Sequence, residues 1–91
     1  MSVRVRLPTI LRSYAAGQSS VDAEGSTVGE VVEHLVDKYP GMAGHLRSPE
    51  GGLHRFVNVY VNDEDVRYQG GLEAKVGDGD EVSILPAVAG G

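Results

Sequence analysis

The sequence predicts an α+β domain in which a four- to five-stranded sheet packs on one main helix. Val3, Val5 and Leu7 alternate with Arg4 and Arg6, and Val57, Val59 and Val61 alternate with Asn58 and Tyr60. That is the period of a strand with one face on a core. Val28, Val31, Val32, Leu35 and Val36 fall at i, i+3, i+4, i+7 and i+8, one apolar stripe of a helix. The predicted order is strand, strand, helix, strand, short strand, strand. One long helix cannot cover both faces of such a sheet, so one face is expected to stay partly open. At 91 residues the chain has room for one core, burying about 60–65% of the surface its unfolded form exposes.

Each element has a local reason. Pro8 breaks the first strand, and a second extended segment is expected around Ile10 to Tyr14. Gly17 turns the chain, and Gln18 to Ala23 return as an antiparallel partner. Thr27 caps the main helix, with Glu30 three residues on completing a capping box. Tyr39-Pro40-Gly41 ends it, because proline cannot continue a helix and glycine takes left-handed geometry cheaply. A short helical turn is expected from Met42 to Arg47 and a loop from Ser48 to Gly52. Phe56 to Val61 is the strongest strand signal, with Phe56, Asn58 and Tyr60 on one face. Asn62-Asp63 opens a turn, and Val66 to Tyr68 reads as a brief strand. An irregular connection follows, then a turn at Gly77-Asp78-Gly79-Asp80 and a last strand from Glu81 to Leu85. Val82 and Ile84 should face inward and Ser83 and Leu85 outward, with Leu85 held extended by Pro86.

Composition removes most chemistry. The chain has no cysteine, so it has neither disulfides nor a thiolate nucleophile. A net charge of −5 argues against nucleic acid, whose phosphates demand a basic surface. No apolar stretch at the start reaches the roughly 7–15 residues of a secretory leader, and no run is long enough for a membrane-spanning helix. The expected location is the cytoplasm, with no membrane partner. The charge is uneven: Arg4, Arg6 and Arg12 lead the chain, while acids crowd Asp63-Glu64-Asp65 and Asp78 to Glu81.

Site motifs are weak inside the domain. Two aspartates in Gly77-Asp78-Gly79-Asp80 would repel phosphate, and a strand rather than a helix follows, so this is a turn and not a phosphate cradle. His34 has no ligand partner at i+4, and His34, His45 and His54 are too widely spaced to suggest a metal. Asp63, Glu64 and Asp65 lack the glycine and glutamate of a calcium loop. Ser13, Ser19, Ser20, Ser26, Ser48 and Ser83 sit in no nucleophile-elbow context. The expectation is no metal, no bound cofactor and no intrinsic catalytic residue.

The end of the chain differs from the rest. Residues 1–86 are expected to form the domain, and 87–91 a flexible tail ending in Gly90-Gly91. Two terminal glycines have no side chain to pack and give up the most freedom on ordering. They can thread a channel too narrow for other residues, which leaves the Gly91 carboxylate as the functional group at the tip. Pro86, Ala87, Val88, Ala89 and Gly90 would present it. On the open face Phe56, Tyr60 and Leu85 are candidate docking contacts.

The strand–strand–helix–strand order, Asp78-Gly79-Asp80-Glu81-Val82, the run to Pro86 and the terminal Gly90-Gly91 resemble the ThiS/MoaD sulfur carriers of the β-grasp, ubiquitin-like fold, whose sheet is mixed. Leu7 to Arg12, the block from His54 to Arg67, and Leu85 to Gly91 resemble the CysO branch of that family. The likeness spans nearly the whole chain; the region from Ala15 to Gly52 carries little of it.

This resemblance implies a mechanism. A ubiquitin-activating-type adenylating and sulfurating enzyme would spend ATP to adenylate the Gly91 carboxylate. A sulfur donor would then displace AMP and leave a thiocarboxylate. A downstream sulfur-accepting synthase would use that sulfur for cysteine or another sulfur metabolite, and a metallopeptidase would release cysteine from the carrier. The protein is then a carrier rather than an enzyme, expected to be monomeric when free. Two alternatives stand beside it: a ubiquitin-like modifier joined to lysines through Gly91, and the small subunit of molybdopterin synthase.

Overall fold

In the computed structural model, which describes residues 2–47, 54 and 57–86, the alternating start of the chain is strand β1 (Ser2–Arg6). Val3 and Val5 are buried, and Ser2, Arg4 and Arg6 are exposed. Strand β2 (Ser20–Glu24) returns antiparallel, with Val5 opposite Val21 and Val3 opposite Ala23.

The expected extended segment between them is helical instead. Helix α1 (Thr9–Arg12) runs into a 3₁₀ turn at Ser13–Ala15. Pro8 supplies an extended start, and Leu11 and Ala15, four residues apart, share one buried face. The segment from Ile10 to Tyr14 lacks the period-two alternation that a half-buried strand would require.

Helix α2 (Val28–Lys38) buries Val28, Val31, Val32 and Leu35. Thr27 caps it as expected: its hydroxyl oxygen accepts from the Glu30 N–H at 3.2 Å. The reciprocal half of the box is shifted by one residue. The Glu30 carboxylate accepts from the Ser26 N–H at 2.7 Å and the Ser26 hydroxyl at 2.9 Å. Gly25 makes this tight entry feasible, because a Cβ there would lie 2.9 Å from the backbone nitrogen of Val31. After Tyr39 come a 3₁₀ turn (Pro40–Met42) and helix α3 (Ala43–Leu46), which bury Met42 and Leu46. An ion pair joins Arg47 to Glu33 of α2.

Strand β3 (Val57–Val61) and the two-residue strand β4 (Glu64–Asp65) are joined by Asn62-Asp63. Both turn residues have positive φ, 50° and 72°, the geometry of a two-residue hairpin whose twist matches its strands. The short strand thus precedes Val66–Tyr68, which is a 3₁₀ turn and not a strand. The cause is local: the Asp65 carboxylate accepts from the Arg67 N–H at 2.9 Å and caps the turn. The connection onward is pinned to the start of α2 by Val28 N–H to Ala74 O at 2.9 Å and Val76 N–H to Ser26 O at 3.0 Å. Strand β5 (Glu81–Pro86) follows the Gly77–Asp80 turn.

The sheet order is β2-β1-β5-β3-β4. β1 and β5 run parallel, and the other pairs are antiparallel. This is the mixed five-stranded sheet of a β-grasp fold. Val3, Val5, Val59, Val82 and Ile84 project from one face into the same core as the apolar stripe of α2. Leu11, Ala15, Met42 and Leu46 complete that core, and no polar or charged residue among the described ones is buried in it.

Candidate functional site

The strand that leads to the C-terminus is the central one. β5 is flanked by β1 on one side and β3 on the other. Arg4 pairs with Glu81 and Arg6 with Ser83 across one ladder; Tyr60 pairs with Ser83, Asn58 with Leu85 and Val57 with Pro86 across the other. A strand held on both edges is a rigid base for whatever follows it. Pro86 belongs to that strand rather than to the tail. The expected tail, 87–91, and the docking candidate Phe56 lie outside the described residues.

The strand alternation sorts β5 as read from sequence. Val82 and Ile84 are buried, Ser83 is half-buried and Leu85 is 47% exposed. Tyr60 is half-buried on the same side as Leu85. The two described docking candidates therefore share the face that α2 leaves uncovered. That face carries a groove of about 1030 Å³, bounded by the end of β5, the arginines of β1 and the α1 segment.

One contributor to this groove was missed by sequence reading. Ile10 is 60% exposed and lines it, although its neighbour Leu11 is fully buried. Consecutive helical residues point about 100° apart, so α1 sends Leu11 to the core and Ile10 to the groove. Arg12 also lines the groove, and its Nε–H donates to the carbonyl of Leu7 at 3.2 Å. The available signal was the Leu11/Ala15 spacing, which fits a helix and not a strand.

The charged groups near the start of β5 are structural. The Asp80 carboxylate accepts from the Gly77 N–H at 2.7 Å. That bond and one from the Asn62 side chain hold its carboxyl below the usual carboxylate range. Asp78 accepts from the Ser2 N–H at 3.1 Å, which ties this turn to the start of β1. Asp65 is held low by the Arg67 side chain at 2.7 Å and by the Arg67 N–H, and the same pairing raises Arg67. Glu30 is held low by the Ser26 N–H and hydroxyl. Two histidines also have packing roles. His34 Nδ1 accepts from the Glu24 N–H at 2.6 Å, and His45 Nε2 lies 3.1 Å from the Tyr14 hydroxyl. Among the described residues no three His, Cys, Asp or Glu side chains group as metal ligands would. No helix among them is long and apolar enough to cross a membrane.

Known proteins with this pattern are closely similar. The family model described as the ThiS family matches residues 5–91. The sulfur carrier protein CysO of Mycobacterium tuberculosis is 56% identical over 93 aligned residues, covering all of both chains. The crystal structure of the Amycolatopsis orientalis BexX/CysO complex contains a chain that superposes with a TM-score of 0.89 at 55% identity, covering 98% of this chain and 99% of that one. Small archaeal modifier protein 3 of Haloferax volcanii is 40% identical over 68 residues, 75% of this chain and 73% of its own.

Proposed function

Since this chain belongs to the ThiS family, we propose that it is a sulfur carrier whose working atom lies on the Gly91 main chain. The observation that carries the proposal is the likeness to CysO over the whole chain, and the Gly90-Gly91 end of this sequence supports it. The fold supports it, because the chain reaches that terminus from the central, doubly paired strand β5.

The chemistry follows from what a carboxylate lacks. A resting carboxylate is a poor electrophile. In a partner enzyme, a Gly91 carboxylate oxygen attacks the α-phosphorus of ATP and pyrophosphate leaves. The acyl adenylate now has a good leaving group. A sulfur donor attacks the carbonyl carbon, AMP leaves, and a thiocarboxylate remains. Its sulfur is a better nucleophile at neutral pH than the oxygen it replaced. In an acceptor enzyme the thiocarboxylate sulfur bonds the β-carbon of an activated serine as the activating group leaves. An S-to-N acyl shift of the resulting thioester gives a cysteine adduct that a metallopeptidase releases by hydrolysis. With no cysteine in the chain, no thiol of its own can intercept the activated terminus.

The test is intact-mass spectrometry after incubation with an adenylating partner, ATP and sulfide. The expected product is heavier by the difference between sulfur and oxygen, and deletion of Gly91 abolishes it while leaving the fold intact. An unchanged mass with a partner proven active on another carrier refutes the reading. A second reading is favoured by the likeness to small archaeal modifier protein 3: conjugation of Gly91 to lysines of other proteins. A remnant of residues 76–91 on target lysines after tryptic digestion of lysate, lost when Gly91 is deleted, would establish it, since Lys75 is the last cleavage site in the chain.

A further inference from the structure

We infer that Arg4, Arg6 and Arg12 make the open-face groove the seat of a carboxylate-bearing segment of the enzyme that receives the tail, with Ile10, Tyr60 and Leu85 gripping apolar side chains of that segment. This assignment rests on the sulfur-carrier reading.

The charge distribution is the first argument. The chain has 8 basic and 13 acidic residues, yet three arginines converge on this one groove against two carboxylates, Asp63 and Glu81. Folding makes little use of their charge. The Arg6–Glu81 pair spans 3.8 Å between side chains that are 66% and 43% exposed, a geometry that contributes little to stability. The Arg4 side chain makes no hydrogen bond or ion pair among the described residues. Arg12 commits only its Nε–H, to Leu7, so its fork is oriented while both Nη groups remain for a ligand. Arg4 and Arg6 lie two residues apart on one strand, about 6.7 Å along it. A guanidinium matches a carboxylate with two parallel N–H donors, so this spacing suits two carboxylates on one extended partner segment.

The apolar contacts are the second argument. Ile10 and Leu85 are two of the four large hydrophobic residues most exposed among the described ones, and both line this groove. An apolar centre with arginines beside it is the composition of a protein-binding surface. The third argument is reach. Residues 87–91 span at most about 17 Å when fully extended. An enzyme seated on the groove therefore holds its own active site within that distance of Pro86, and docking and tail delivery fall to the same partner.

The experiment uses the full-length chain and the adenylating enzyme that loads it in the mass assay above. Pyrophosphate release is measured against carrier concentration for wild type, the R6E/R12E double variant and K38E, a charge reversal at the end of α2. The double variant is expected to raise KM by at least about tenfold with kcat within about twofold, and K38E to stay near wild type, since charges at an interface act on encounter and affinity. Wild-type KM should rise with salt more steeply than that of the double variant. R6K/R12K should fall between, because lysine keeps the charge and loses the fork. Where R6E/R12E lowers the melting temperature, R6Q/R12Q carries the comparison. A double-variant KM within twofold of a well-loaded wild type overturns the docking assignment and leaves the carrier reading standing. An equal effect from K38E also overturns it, because net charge alone would then explain the loss. Failure of wild type to load removes the carrier reading and this assignment with it.

Discussion

Ile84 and Leu85 are adjacent on β5 and point to opposite faces, so they separate stability from docking. Ile84 is 2% exposed in the shared core, opposite Val59. Truncating such a side chain costs about 2–5 kcal/mol, from lost transfer energy and the cavity left behind. A 91-residue domain has about 5–14 kcal/mol in total. Ile84→Ala should therefore remove a large fraction of the stability and lower the melting temperature by at least about 10 °C. Leu85 is 47% exposed. Full burial of a leucine contributes about 1.5–3 kcal/mol, so Leu85→Ala should cost about 1 kcal/mol or less. The assay is urea unfolding followed by far-ultraviolet circular dichroism, paired with the sulfur-loading reaction at low temperature. Ile84→Ala should load normally wherever it is folded, and Leu85→Ala should be stable but poorly activated. If Leu85→Ala destabilises as much as Ile84→Ala, the division of the sheet into a core face and an open face is wrong.

Other consequences can be measured directly. Gly25→Ala places a Cβ 2.8 Å from Glu30 Cβ and 2.9 Å from the Val31 nitrogen, and the backbone atom cannot move cheaply. It should cost about 1–3 kcal/mol in urea unfolding; a neutral outcome would show that the α2 entry is loosely packed. Glu30, Asp65 and Asp80 are all held below their ordinary values of 4.5, 3.8 and 3.8 by hydrogen bonds to their ionised forms. Each thus stabilises the fold above its unfolded-state value, and that contribution is lost as pH falls through the lower folded-state value. The melting temperature should hold steady down to about pH 5 and decline below about pH 4, with a shallower decline in Asp80→Asn. A profile just as steep in Asp80→Asn would remove the role assigned to the Gly77 bond.

The elements that sequence reading located are those specified by local spacing. The stripe Val28 to Leu35 could bury one side only as a helix, and Thr27 marked its start. Val57 to Val61 and Glu81 to Leu85 alternate cleanly, so their inner and outer faces were legible before their partners were known. The misread elements are those where one side chain overrides a weak pattern. Asp65 turns Val66–Tyr68 into a 3₁₀ turn by accepting from the Arg67 N–H. Leu11 and Ala15 draw the segment after Pro8 into helical geometry to fill the end of the core.

By itself the sequence determined the strand faces, the main helix and the absence of a thiol, and it placed Gly90-Gly91 beyond the last strand. These are properties of spacing and composition, and they need no knowledge of distant residues. Only the tertiary structure decided that the last strand lies at the centre of the sheet, parallel to the first. That pairing joins residues some 77 positions apart, Arg4 with Glu81 and Arg6 with Ser83, and no local pattern encodes it. It brings the arginines of the chain's start, with Ile10 and Arg12 of a helix the spacing had half concealed, beside the strand that leads to Gly91. The groove comes from strand pairing and core filling, which long-range burial selects.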